Sequence, residues 1–141
     1  MRILVPVDPD DAASERALPV AERMAAEAGG GELVLVAVGE LAETSRHREA
    51  ATEQIGERLS SLASRVRAVP VRTYIALAGD PARGIVEAAG DERVDRIVMA
   101  REQHGRWAAF LGTEHVSEDV AARPSPPVYV VDEQGAVSAA D

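Results

Sequence analysis

Two near-continuous apolar runs, Ile3 to Val7 and Leu33 to Val38, constrain this chain more than any other feature. A strand with one wet face alternates apolar and polar residues. An unbroken run needs cover on both faces, which is the situation of a parallel sheet held between helices. The segment between the runs fits the crossover that such a sheet requires. Asp10 or Asp11 can cap a helix, Ala17, Val20, Met24 and Ala28 recur at three-to-four spacing, and Gly29, Gly30 and Gly31 close it. The first third of the chain therefore reads as a β-α-β unit.

The same alternation continues. After Gly39 a polar stretch with Ser45, Arg46, His47 and Arg48 leads into a helix whose Ile55, Leu59, Leu62 and Val66 share one stripe. Val69 to Leu77 reads as a third strand, Gly79-Asp80-Pro81 opens a short helix through Ile85, Val86 and Ala89, and Val94 to Met99 is a fourth strand. Val116, Val120 and Ala121 suit a last helix stopped before Pro124, Pro127 to Val131 is a fifth strand, and residues 133–141 are expected to fray. Strands alternating with helices predict an α/β fold, a doubly wound five-stranded parallel sheet with helices on both faces and right-handed crossovers. At 141 residues the chain has room for one core and not for two. Ligands of such sheets sit beyond the carboxyl ends of the strands, where strand order reverses, so the loops after Val7, Val38, Leu77 and Met99 are the ones to inspect.

Composition removes several classes of chemistry. Cysteine is absent, which excludes disulfides, thiolate catalysis and cysteine-based metal sites. All 15 bases are arginine, so there is no lysine for a P-loop or a Schiff base. With 24 acids against those 15 bases the formal charge is -9, which disfavours a grip on nucleic-acid backbone or on an anionic membrane. No apolar run approaches the roughly 18 residues of a membrane helix, and no signal-peptide pattern is present, so the expected location is the cytoplasm.

The residues able to carry chemistry cluster at the strand ends. Asp8 directly follows a buried strand, where its carboxylate can accept hydrogen bonds from an adenine amino group or a ribose hydroxyl, or can cap the turn. Asp10 and Asp11 can cap the following helix or, with Asp8, hold Mg²⁺ through hard oxygen ligands. The stretch from Ala100 to Thr113 carries Arg101, Gly105, Arg106 and Gly112 before a helix start, where amides, the helix dipole and the guanidinium groups can hold an anion. Trp107 and Phe110 can instead fold that loop inward as packing anchors. His104 and His115 have no partner at a catalytic spacing, and no nucleophile, zinc or paired-carboxylate motif is present, so no enzyme is expected.

In order and spacing, RILVPVD, SERAL, GELVLVAV, AGDPARGIVEAA, VDRIVMA, Gly112-Thr113 followed by VSEDV, and PPVYVV resemble the universal stress protein family. The resemblance spans 1–132 and leaves 133–141 as a tail. It implies an adenine nucleotide alpha hydrolase-like fold, a stress-response or regulatory role without a defined reaction, and a homodimer paired through the last strand, Val128, Tyr129, Val130 and Val131. An apolar edge strand of that kind needs a partner. Carried over by position, Pro6, Val7 and Asp8 match the segment that holds adenine and ribose, Val38 the residue that packs on the base, and Met99 the end of the fourth strand.

The phosphate side departs from the family pattern, which follows that strand with Gly-x2-Gly-x9-Gly-Ser or Gly-Thr. Here Ala100 replaces the first glycine, four residues separate it from Gly105, and six separate Gly105 from Gly112-Thr113. Aligned backward from Val116, the Gly-Ser slot holds Glu114-His115, a carboxylate where phosphate oxygens belong. A β-carbon at Ala100 hinders close approach and costs about 1 kcal/mol if φ is positive there. The expectation is a degenerate nucleotide cleft that does not bind ATP in the usual way and has no assured ligand; it leaves room for AMP or adenosine, with Arg101 or Arg106 meeting one phosphate. The alternatives are an ATP switch with Mg²⁺ and, from another class, a degenerate receiver domain, which the missing lysine and Ala76-Leu77-Ala78 disfavour.

Overall fold

The computed structural model describes residues 1–8, 13–39, 45–77, 81–101 and 126–139. In chain order these form β1 (Arg2–Val7), α1 (Ser14–Glu27), β2 (Glu32–Gly39), α2 (Ser45–Ala63), β3 (Val71–Leu77), α3 (Pro81–Asp91), β4 (Arg96–Ala100), β5 (Val128–Val131) and β6 (Val137–Ala139). The sheet order is β3-β2-β1-β4-β5-β6. β1 to β5 are parallel, as the unbroken apolar runs require, and β6 is antiparallel to β5.

Alternation along β1 divides the core. Ile3, Val5 and Val7 face one side, packing with Leu33, Leu35 and Ala37 of β2 against Ala17, Ala21 and Ala25 of α1 and Ile55, Leu59 and Leu62 of α2. Leu4 faces the other side, with Val34, Val36 and Met99, against Ile85, Ala88 and Ala89 of α3. At the centre of the sheet both faces are dry because the apolar side chains of β1 and β2 meet helices, and burying one Leu, Ile or Val in this way contributes about 1.5–3 kcal/mol. The stripe expected on α2 is the buried one, and Val66 continues its packing just past the helix end.

The first helix differs from expectation at both ends. It begins at Ser14, with Ala13 as N-cap and no side-chain cap bond; Asp10 and Asp11 lie outside the described residues. Ala28 is exposed rather than buried, because Gly29 turns the chain away at φ 65. Gly31 serves another purpose: a β-carbon there would stand 2.4 Å from the Ala25 carbonyl oxygen. The helix also carries Pro19 in its interior, where no amide is available to bond back to residue 15. Polar ties fasten α1 to its neighbours. The amides of Arg67 and Ala68 donate to Glu22 Oε2 at 2.8 and 2.9 Å. Glu15 meets Arg58 and Arg65 at 3.2 and 3.3 Å.

The tail also departs from expectation. Instead of fraying throughout, it turns back after β5 and adds a sixth strand, so β5 is not the sheet's edge as the proposed pairing had assumed. The turn chemistry explains it. Asp132 Oδ1 accepts the amides of Gln134 and Ala136 at 2.9 and 2.8 Å, and Gly135 supplies φ 82. The last helix expected around Val116 to Ala121 lies outside the described residues. Among those described, no helix is long and apolar enough to cross a membrane.

Candidate functional site

From β1 the chain moves outward to β2 and β3 on one side, then crosses to the other side of β1 for β4 and β5. The reversal falls between β1 and β4, and a doubly wound sheet opens its ligand crevice beyond the carboxyl ends of those two strands.

Main-chain bonding shows where pairing between those strands stops. The carbonyl of Met1 accepts from the Glu32 amide on the β2 side at 2.8 Å, and that of Arg2 accepts from the Asp95 amide on the β4 side at 2.7 Å. Amide and carbonyl of one strand residue point to the same neighbour and alternate along the chain, so residues 2, 4 and 6 turn toward β4. Pairing between β1 and β4 is registered at Ile3 with Arg96 and at Leu4 with Ile97, and goes no further, although the strands run on to Val7 and Ala100. The next rung needs an amide hydrogen from residue 6, and Pro6 has none. Proline is ordinarily kept out of central strands for this reason. In this sheet it ends the ladder at the switch point, while the rungs between β1 and β2 continue to Val7 with Ala37.

The residues named from the sequence divide into three groups. Pro6, Val7 and Asp8 at the end of β1, Val38 near the end of β2, and Met99, Ala100 and Arg101 at the end of β4 lie on neighbouring strand ends. Asp8 is half-buried and Arg101 is exposed, so both residues reach solvent at this edge. Val7 and Met99 are core side chains at 1% and 0% exposure, packed on opposite faces of the sheet. What those two can offer a ligand is main chain. Gly105, Arg106, Gly112 and Thr113 lie outside the described residues, as do His104, Trp107, Phe110, Glu114 and His115.

Ala100 is free of the backbone strain that a glycine-specific position would impose. Among the described non-glycine residues only Arg93 has a positive φ, 52, whereas Ala100 is regular strand paired with Val131. The effect of its β-carbon is steric. The methyl is fully buried at the lip of β4, where a glycine would leave main chain bare.

Sequence reasoning named Ser14 only as the first residue of the SERAL segment and gave it no role. It is the one buried polar or charged residue among those described, at 1% exposure, in the first turn of α1 on the same edge of the sheet. The available signal was a serine at a helix start just after β1. No group of three metal-ligating side chains occurs among the described residues. The carboxylates of Asp10 and Asp11, on which a Mg²⁺ site would depend, lie outside them.

The opposite, amino edge holds a cleft of about 560 Å³ lined by Met1, Arg2, Glu32, Pro70, Arg93 and Asp95, with Gly30 and Gly31. Arg2, Glu32 and Asp95 are committed to structure. The Arg2 amide donates to Asp95 Oδ2 at 2.8 Å, and its guanidinium donates to Glu32 and to the Glu92 carbonyl.

Comparison with known proteins agrees with this architecture. The model of the Universal stress protein family matches residues 1–132. No curated protein sequence matches. A structure from the universal stress protein family of Burkholderia pseudomallei superposes with a TM-score of 0.64 at 25% identity, covering 92% of this chain and 94% of that one. A universal stress protein from Archaeoglobus fulgidus solved in complex with dAMP gives 0.63 at 23%, covering 92% and 96%. A universal stress protein structure in complex with cAMP gives 0.63 at 18%, covering 93% and 96%.

Proposed function

The chain belongs to the universal stress protein family, and on that premise we propose that it is a cytoplasmic regulatory module that binds an adenine mononucleotide or adenosine in the crevice between β1 and β4. It acts by changing partners and not by catalysing a reaction. The observation that carries this reading is that registered pairing of β1 with β4 stops at Leu4, two residues before Pro6 and four before Asp8. Asp8 is suited to accept hydrogen bonds from a ribose or an adenine amino group, with Arg101 at the opposite lip to meet one phosphate. The two neighbours solved with dAMP and cAMP hold ligands with a single phosphate, which supports the ligand class.

A triphosphate fits less well. It would bring several negative charges to a chain of net charge -9, past a buried methyl at Ala100 and glycines at altered spacing. Differential scanning fluorimetry with adenosine, AMP, dAMP, cAMP and ATP, each with and without Mg²⁺, tests this. A ligand at 100 times its dissociation constant stabilises the fold by about 2.7 kcal/mol, a rise of roughly 8 °C for a domain of this size. The rise is expected for AMP and is abolished by Asp8→Ala. A larger rise with Mg-ATP than with AMP would refute the mononucleotide reading and establish an ATP switch.

The partner in this reading is a second copy, paired through the outer edge of β5. A two-fold axis at a sheet edge sets the two copies of the edge strand antiparallel, so the same four residues, Val128 to Val131, meet themselves.

A further inference from the structure

We propose that β6 is a displaceable cap on the outer edge of β5, and that its release is what admits a second copy of this chain. This rests on the reading that β5 is the pairing edge, and adds to it a gate.

The cap is held by main chain and by its turn. Registered pairs join Tyr129 with Ala139, Val130 with Ser138 and Val131 with Val137, yet every residue of β6 is exposed. Neither core cluster contains a residue beyond Val131. The turn is built with care for a strand that buries so little. Asp132 Oδ1 takes two amides, the Gly135 amide donates to the Asp132 carbonyl at 3.0 Å, and the Asp132 amide donates to the Ala136 carbonyl at 3.0 Å. A short exposed strand that adds hydrogen bonds without apolar burial belongs to the least stable part of a fold and opens locally before the rest.

Its place is also the place a second copy needs. The outer edge of β5 has one set of amides and carbonyls, so β6 and a second β5 exclude each other. Both approach in the same sense, since β6 runs antiparallel to β5, as a two-fold-related β5 must. The edge stays ordered when the cap leaves. The guanidinium carbon of Arg96 stands over the Tyr129 ring at 5.2 Å, and the parallel rungs from Ile97 with Val128 to Ala100 with Val131 do not involve β6. A dimer needs two open copies. A closed-to-open ratio of about ten therefore raises the apparent dissociation constant about a hundredfold.

Two full-length variants test the gate. Tyr129→Cys with Ala139→Cys places the first two cysteines of a cysteine-free chain on directly opposed residues of β5 and β6, so oxidation locks the cap and a reductant releases it. Asp132→Ala with Ser138→Pro removes the turn carboxylate and an amide from the middle of β6, which frees the cap. Sedimentation velocity across protein concentration is the readout, with circular dichroism melts confirming that each variant is folded. The freed variant is expected to dimerise at least tenfold more tightly than the native chain. The oxidised lock is expected to be monomeric and to recover dimerisation on reduction. If lock and reduced form dimerise equally, the cap does not gate the edge, although pairing elsewhere survives. If the freed variant is monomeric at every concentration, the pairing reading itself fails. Should the freed variant melt too early to assay, the lock alone decides, because its oxidised and reduced forms carry the same two substitutions and differ only in the disulfide.

Discussion

Three consecutive glycines end α1, and the structure assigns them different duties that mutation can separate. Gly29 has φ 65 and nothing within 4 Å of a built β-carbon, so Gly29→Ala meets only the left-handed backbone penalty. That penalty is about 1 kcal/mol, offset in part by the lower entropy of an unfolded chain with alanine, for a net loss of roughly 0.5 kcal/mol. At Gly31 the added methyl meets the Ala25 carbonyl oxygen at 2.4 Å, its α-carbon at 2.8 Å and its carbonyl carbon at 2.9 Å. These are main-chain atoms of Ala25, a fully buried residue, and cannot rotate aside as a side chain does. The end of α1 must separate from the start of β2, a cost of about 3 kcal/mol. Urea unfolding followed by circular dichroism should place the two midpoints about 1 M apart at an m-value near 2 kcal/mol/M. Adding Ala25→Gly to Gly31→Ala should give no recovery, because the clash is with backbone. Equal midpoints for the two single variants, or rescue by Ala25→Gly, would show that the close approach does not govern this junction.

Other consequences are as specific. Pro19 is exposed in the interior of α1, so Pro19→Ala restores the missing amide without a packing change and should stabilise by roughly 1–2 kcal/mol, read by the same titration. Glu22→Ala strands the Arg67 and Ala68 amides, which remain open to water; a loss of about 1 kcal/mol is expected, and an unchanged midpoint would show that water replaces the carboxylate without penalty. Leu59→Ala empties a site that is 2% exposed between α2 and the sheet and should cost about 2–5 kcal/mol in the same assay. Pro6→Ala returns an amide to the switch point. It should lengthen the β1–β4 ladder, slow amide exchange there and weaken the AMP-dependent rise in melting temperature.

The architecture was legible because burial writes itself into apolar pattern. Ile3 to Val7 and Leu33 to Val38 have almost no polar residue because helices cover both faces, and Ile55, Leu59 and Leu62 recur because α2 covers only one. The candidate edge followed from the same pattern, since ligands of a doubly wound sheet gather beyond the carboxyl ends of its strands, but the strand order that singles out β1 and β4 is visible only in the fold. The site's chemistry was less legible. Val7 and Met99 match a ligand-binding pattern by position, yet their side chains are needed by the core, so only their main chain faces the ligand problem. Pattern matching aligns backbones and is silent on where a side chain goes. Pro6 carried more information than its match suggested, but reading it required knowing which neighbour residue 6 faces.

The sixth strand shows where this kind of legibility ends. Val137, Ser138 and Ala139 are all exposed, so no selection for burial marks them, and a segment rich in alanine and serine reads as a tail. The only trace lies before the strand, in Asp132 and Gly135: a side chain that accepts amides two and four residues on, and a residue free to take φ 82. Turn chemistry specifies that the chain reverses, not that it pairs, and pairing then depends on an edge nearby with amides and carbonyls to share. β5 supplies that edge. The same local economy that hides β6 from sequence makes it weakly held, because a strand with no buried side chain has little besides three rungs and a turn to keep it in place.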